Sequence, residues 1–207
     1  MISLSLIASI IGFVIAIVVH ESAHAIAADR LGDPTAKYAG RVTLNPLRHI
    51  DPIGTVLVPM LLILSNTGFV FGWAKPVPVN PYNFRNPLKD KLLVALAGPV
   101  ANFFTALIFS VFLKYVPTGS NIPMLLTSII TINLVLMMFN LIPIPPLDGS
   151  AILPFIFRGN ASFLYWVENQ SFTIIIIFLL LDSITGGAIL NLIVRQPVMY
   201  LLAWLIR

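Results

Sequence analysis

The sequence predicts an all-α polytopic membrane protein with about 4–6 transmembrane helices and a re-entrant or β-loop element near its chemically active residues. Three observations carry that expectation. Hydrophobic residues make up 58% of the 207 residues, above the ~45–50% of an ordinary soluble domain. Charged residues make up 10% against about 25%, too few to cover a water-facing surface. Apolar runs of the ~20 residues that span a bilayer at 1.5 Å per residue recur along the chain. A soluble domain, a disordered chain and a coiled coil are excluded. The expectation is one integral-membrane domain over residues 1–207, with a core over about 1–158 and C-terminal helices over about 160–207.

Each element follows from the same reading. Ile2 to Val19 is apolar, without a basic leader or an A-x-A-like cleavage site, so it reads as a retained helix rather than a removed signal peptide. It continues through HESAHAIAADRLG to Gly32, where Asp33-Pro34 stops it. Lys37 to Pro52 is polar, with β-prone pieces. Ile53 to Trp73 is apolar but broken by Pro59 and Ser65-Asn66-Thr67-Gly68. Ala74 to Asp90 is Pro/Asn-rich, and prolines at alternate positions suit an extended edge. Lys91 to Val116 and Ile122 to Ile142 are clean spans separated by Pro117 to Ser120. PIPPLDG breaks the chain, and Ser150 to Phe157 reads as helix. Phe172 to Leu181 is apolar but short. Gly187 to Val194 and Val198 to Ile206 flank Arg195-Gln196-Pro197, as two short spans or as one span plus an interfacial helix.

The chain has no cysteine, so disulfides and thiolate ligands are excluded. Its three histidines are His20, His24 and His49. The net charge of +4 fits basic cytoplasmic loops rather than a nucleic-acid partner.

His20-Glu21-Ser22-Ala23-His24 reads HExxH. Four helical residues turn through about 400°, so the two imidazoles lie about 40° apart on one face and can chelate Zn²⁺. Glu21 then sits beside the metal to accept a proton from water. Ionisable residues in a helix otherwise built of Ile, Val, Ala and Phe are costly in lipid, and such residues point to a functional site. A catalytic zinc needs a third protein ligand. Two residues qualify: His49, in LRHIDP, and Asp148, in the Pro-rich break NLIPIPPLDG.

HESAH at 20–24, GPVAN at 98–102 and NLIPIPPLDG at 140–149 together resemble the site-2 proteases, the intramembrane zinc metalloproteases of peptidase family M50. FGWAKPVPVNP at 71–81 looks like the minimal variant without PDZ or CBS domains. The resemblance runs from Ile15 to Ile156. It implies one Zn²⁺ per chain held by His20, His24 and Asp148, Glu21 as catalytic base, and Asn140 holding substrate backbone. It also implies a transmembrane-helix protein substrate, cut within or near the bilayer in regulated intramembrane proteolysis. His49 then reads as a loop residue or one supporting the ligands. The stretch Ile53 to Trp73 is extra relative to the simplest members.

Topology restricts that ligand set. With an outside N-terminus, His20 and His24 lie about 9–15 Å inside the cytoplasmic face. If Ile53 to Trp73 crossed the membrane, Asp148 would emerge on the opposite face; a re-entrant stretch returns it to the histidines. Arg30, Lys37, Arg41 and Arg48 precede the stretch, and Lys75, Arg85, Lys89 and Lys91 follow it. Only a re-entrant path puts all of them in the cytoplasm. The expectation is a multi-pass protein of a bacterial or archaeal cytoplasmic membrane with the site toward the cytoplasm.

Other residues read more plainly. Gly98 and Asn102 suit close helix packing and an interhelical hydrogen bond. Trp73, Trp166 and Trp204 suit interfacial anchoring. Asp182 and Arg195 mark the ends of short spans. The pieces around Arg41 to Asn45 and Lys75 to Asn80 could pair with substrate as added strands. Two competing functions remain at this stage: a metal or ion transporter using the His/Asp cluster, and a non-catalytic homologue that binds membrane helices. Neither the repeated halves of the first nor the lost ligand of the second is visible. Oligomeric state leaves no mark in the sequence.

Overall fold

The protein was analysed as a computed structural model, which describes residues 3–58, 60–61, 72–117 and 119–207. Six principal helices carry the fold. They are α1 (Leu4–Arg30), α2 (Pro87–Leu113), α3 (Ile122–Asn140), α4 (Ala161–Asn169), α5 (Ser171–Ile184) and α6 (Ala188–Leu205). Of these, α1, α2, α3 and α6 are long and apolar enough to cross a membrane; α4 and α5, bent by 70° at their junction, would make a fifth span. This agrees with the expected all-α membrane architecture.

Helices α1, α2 and α3 pack on one another. Ala8, Gly12 and Ala16 are buried four residues apart along α1, forming a stripe with little side chain. A Cβ on Gly12 would lie 3.0 Å from Ile132 Cδ1 and 3.2 Å from Ser128 O, so the missing side chain sets how closely α3 approaches. The apolar core lies on the other side of α3. There Ile130, Leu134 and Met137 meet Ile175 of α5 and Val194, Val198 and Leu205 of α6.

Local signals fix the helix ends. Ser3 caps α1 by accepting from Leu6 N. Gly32, with φ +108°, turns the chain out of α1. Asn86 caps α2 by accepting from Lys89 N, and Asp90 Oδ2 accepts from Asn86 N in return. Asp182 Oδ1 accepts from Leu190 N at 2.8 Å, so it joins the end of α5 to the start of α6.

One expectation is corrected. Arg195-Gln196-Pro197 does not interrupt the C-terminal helix, because α6 runs through it. The wide π turn Asn191–Arg195 lies where Pro197 has no N–H to give, so the helix loses a bond without losing its course. Among the described residues the pieces around Arg41–Asn45 and Lys75–Asn80 form no strand with each other, and the first bends at Val42 and Thr43. Arg41 joins them instead: its guanidinium donates to Lys75 O and Pro76 O. One buried side chain thus holds two carbonyls of the second piece.

Asp33 anchors the same region. It accepts from Asn80 N at 2.7 Å, Asn83 Nδ2 at 2.7 Å and Thr35 N at 3.1 Å. Burial pushes its carboxyl up, but the side-chain donors of Thr35 and Asn83 and the backbone donors outweigh it and hold the group below the usual carboxylate value.

The turnaround expected at Pro59 and Ser65–Gly68 lies outside the described residues. The flanks of the stretch are described, and they meet. Trp73 N donates to Gly54 O at 3.1 Å, Thr55 Oγ1 donates to Trp73 O at 2.7 Å, and Lys75 N donates to His49 O at 2.9 Å. A stretch whose ends are hydrogen-bonded together begins and ends on one face. This gives a direct test, since the chain has no native cysteine. Single cysteines at the exposed positions Asn45 and Arg85 should both label with an impermeant thiol reagent from the same side of sealed vesicles. Labelling from opposite sides would mean that the stretch crosses.

Candidate metal centre

The C-terminal half of α1 carries the first two of the clustered side chains. His20 and His24 are buried, one helical turn apart, with ring centroids 4.5 Å apart and planes at 89°. The chain returns to them through α2 and α3. At Leu147 it leaves the Pro-rich turn and enters a short 3₁₀ helix, Asp148–Ile152. Asp148 Oδ2 lies 3.0 Å from His20 Nε2 and 3.4 Å from His24 Nε2. Ligand-type atoms from the three residues all fall within 4.8 Å of one another, the one such metal-competent group among the described residues. Of the two candidates for a third ligand, Asp148 is the one brought to the histidines.

The remaining ring nitrogens decide what this cluster can hold. His20 Nδ1 is 2.6 Å from Asn102 Oδ1, and His24 Nδ1 is 2.7 Å from Val94 O. Both partners are oxygens that only accept, so both Nδ1 atoms donate. A neutral imidazole with its proton on Nδ1 presents a bare lone pair at Nε2. Two such lone pairs therefore face Asp148 Oδ2, itself a buried oxygen without a hydrogen-bond donor. Three electron-pair donors this close repel unless a proton or a metal cation lies among them. Two nitrogens and one carboxylate oxygen match the donor set of a catalytic zinc. The residues present fit a divalent metal, and zinc foremost.

Helix α2 shapes the space. Val94, Gly98 and Asn102 recur every four residues on its face toward α1. A Cβ on Gly98 would lie 2.6 Å from His20 Cε1, His24 Cε1 and His24 Nε2. Only glycine leaves room there for both rings. A cavity of about 180 Å³ opens beside Asp148, lined by Ala95, Leu147, Leu164 and, further out, Lys91 and Glu168. Lys91 Nζ and Glu168 Oε1 pair at 3.0 Å.

The other expected residues are placed as follows. Glu21 is half-buried beside His20. Burial holds the Arg41 guanidinium below its ordinary value, an effect the Glu21 carboxylate partly offsets. Asn140 lies at the last position of α3, where its Nδ2 donates to Leu136 O at 3.0 Å. His49 is fully buried outside the metal group: its Nε2 is 2.7 Å from Thr43 O and 3.4 Å from Ser22 Oγ. It braces the loop after α1 against the helix between the two histidines. Asn102 makes the expected interhelical bond, to Asn133 Oδ1 at 2.8 Å, and also holds His20. Asn133 and the Val94 carbonyl were not foreseen. The signal for Asn133 was a lone amide within an apolar span; a backbone carbonyl leaves none.

The family model described as peptidase family M50 matches residues 8–119. "Putative zinc metalloprotease YwhC" of Bacillus subtilis is 42% identical over 154 residues, covering 70% of this chain and 66% of that protein. "Putative zinc metalloprotease Rip2" of Mycolicibacterium smegmatis is 28% identical over 179 residues, covering 84% and 67%. The Rip2 protein of Mycobacterium tuberculosis is 30% identical over 146 residues, covering 70% and 55%. The chain thus spans about two thirds of the first two relatives and about half of the third. No solved structure matches it.

The shape of the site yields a prediction that needs no substrate. Gly98→Ala should weaken zinc affinity by about tenfold or more, read by competition with a chromophoric chelator. Gly119→Ala, at a position where a Cβ meets nothing within 4 Å, should leave it unchanged. Equal affinities for the two variants would contradict the geometry.

Proposed function

The chain belongs to peptidase family M50, and from that premise we propose that it is an intramembrane zinc metalloprotease of the site-2 type. The observation that carries the proposal is the convergence of His20 Nε2, His24 Nε2 and Asp148 Oδ2 beside Glu21, within an apolar helical bundle. In this reading His20, His24 and Asp148 hold one zinc ion per chain. Residues about 1–158 form the catalytic core, and the C-terminal helices pack against it. Zinc bound there supplies Lewis acidity and lowers the pKa of a bound water toward about 7.

The chain's own residues do the rest. Glu21, next to His20 on α1, takes the proton of the attacking water and gives it to the leaving amine. A carboxylate suits both transfers, because the proton it gains in the first is the one it loses in the second. Gly98 keeps the two imidazoles unobstructed. Leu147, Leu164 and Ala95 make the cavity beside Asp148 mostly apolar, which limits bulk water near the reacting bond.

The proposed substrate is a transmembrane helix. Its peptide groups are sealed in i→i−4 hydrogen bonds and must be freed before attack. The freed groups then need partners. Asn140, half-buried at the end of α3 with its amide nitrogen committed to Leu136 O, offers its carbonyl oxygen to a substrate N–H. The extended backbone at Lys75–Asn80 offers further donors and acceptors at the same end of the bundle. That end carries Arg30, Lys37, Arg41 and Arg48 before the apolar stretch and Lys75, Arg85, Lys89 and Lys91 after it, so the site is proposed to face the cytoplasm.

Glu21→Gln separates metal binding from chemistry. The variant should retain its zinc, and cleavage should fall by about 10²–10⁴-fold, the usual contribution of a general acid–base group. Membrane proteomes of cells expressing the wild type or the variant should differ by membrane-anchored fragments that accumulate only with Glu21→Gln. Identical fragment patterns with zinc retained in both would refute the role of Glu21.

A further inference from the structure

His24 is oriented by the backbone and His20 by side chains, and that difference has a consequence. The Val94 carbonyl that holds His24 Nδ1 cannot be altered by substitution. The Asn102 amide that holds His20 Nδ1 could in principle turn over and offer its NH₂ instead. The structure shows why it does not. Asn102 Nδ2 donates to Ala16 O at 3.0 Å and to Asn133 Oδ1 at 2.8 Å. Asn133 is held in turn, because its Nδ2 donates to Ile129 O at 2.8 Å. Both asparagines are fully buried. Turning Asn102 over would set its oxygen against two other oxygens and its NH₂ against a ring nitrogen.

We propose that Asn102 and Asn133 form a positioning relay. It runs from a backbone carbonyl of α3, through α2, to His20 on α1, and it fixes His20 with its proton on Nδ1 and its lone pair at Nε2. This inference rests on the reading of His20, His24 and Asp148 as a metal centre. The direction of every bond is set by its far end: Ile129 O only accepts, so Asn133 presents its oxygen; Asn102 must then present its NH₂ to Asn133 and its oxygen to His20. A neutral imidazole has two tautomers, and only one places an electron pair toward Asp148 Oδ2. Without the relay His20 would divide between them. Partners of this kind, holding the far nitrogen of a metal-ligating histidine, typically contribute 10–100-fold to metal affinity.

A plainer role would be adhesion between three helices. The two roles separate on one substitution pair. Asn102→Asp keeps an acceptor for the His20 N–H but loses both donated bonds, to Ala16 and Asn133. Asn102→Leu loses all three. Adhesion depends on the donated bonds, lost equally in both; positioning depends on the acceptor, kept in one.

The test uses the purified full chain in detergent, with zinc alone as probe. Affinity is read by chelator competition, and helix content and melting of the metal-free protein are recorded beside it. Asn102→Leu should bind zinc about 10–100-fold more weakly than wild type, and Asn102→Asp should stay within about threefold. Asn133→Leu and Asn133→Asp should repeat the contrast with a smaller loss, because the carboxylate introduced by Asn133→Asp would still accept from Asn102; this pair decides the question if Asn102→Leu fails to fold. A Leu variant within threefold of wild type, or Leu and Asp variants weakened equally, overturns the relay. His20→Ala distinguishes the underlying reading: if it binds zinc as tightly as wild type, the metal centre itself is wrong, whatever the asparagine variants do.

Discussion

Three electron pairs pointed at one another are the constraint around which this molecule is arranged. Two imidazoles with their protons turned away, and a carboxylate oxygen with no donor, stand within 4.8 Å inside an apolar bundle. Left to itself, such an arrangement would disperse, since each group would find water or a proton. The two imidazoles stay in place because each is tied from behind. Helix α2 does most of this tying. Its Val94 carbonyl holds His24, its Asn102 amide holds His20, and the bare Gly98 between them makes room for both rings. The face toward α1 is therefore built from what it omits as much as from what it contains.

Bringing Asp148 to that point constrains the path of the whole chain. The helix bearing the histidines and the loop bearing the aspartate must end on the same face, so an even number of crossings must separate them. Helices α2 and α3 supply two. The apolar stretch between α1 and α2 must then add none, and the hydrogen bonds joining Trp73 to Gly54 and Thr55 show that its ends meet. Asp33 and Arg41 secure the same face from either side. The first ties the end of α1 to Asn80 and Asn83, and the second ties the loop after α1 to Lys75 and Pro76.

What the sequence made legible is what depends on short-range spacing. HExxH places two imidazoles on one helical face by arithmetic alone, and a Pro-rich break ending in Asp148 marks an acidic group leaving a span. Charge counts on either side of Ile53 to Trp73 foretold that its flanks share a face. The remainder depends on partners distant in the chain. Asn133 carries no motif, and its meaning appears only when Asn102 is found across from it. The carbonyl of Val94 has no signature, because every residue has one. The pieces at Arg41 and Lys75 have strand-like composition, yet what joins them to each other is a single guanidinium. Arg195-Gln196-Pro197 was expected to separate two short segments, but the π turn before Pro197 changes which carbonyl would have needed its N–H, and one helix runs through.

The central claim is that these electron pairs hold a metal ion, and X-ray absorption at the zinc edge of the purified, zinc-loaded chain tests it most directly. The zinc shell should show imidazole scattering from two nitrogens at about 2.0–2.1 Å, with the remainder made of oxygen at about 2.0–2.2 Å. One imidazole should be lost in His24→Ala. An all-oxygen shell without imidazole scattering, or a spectrum unchanged in His24→Ala, would contradict it.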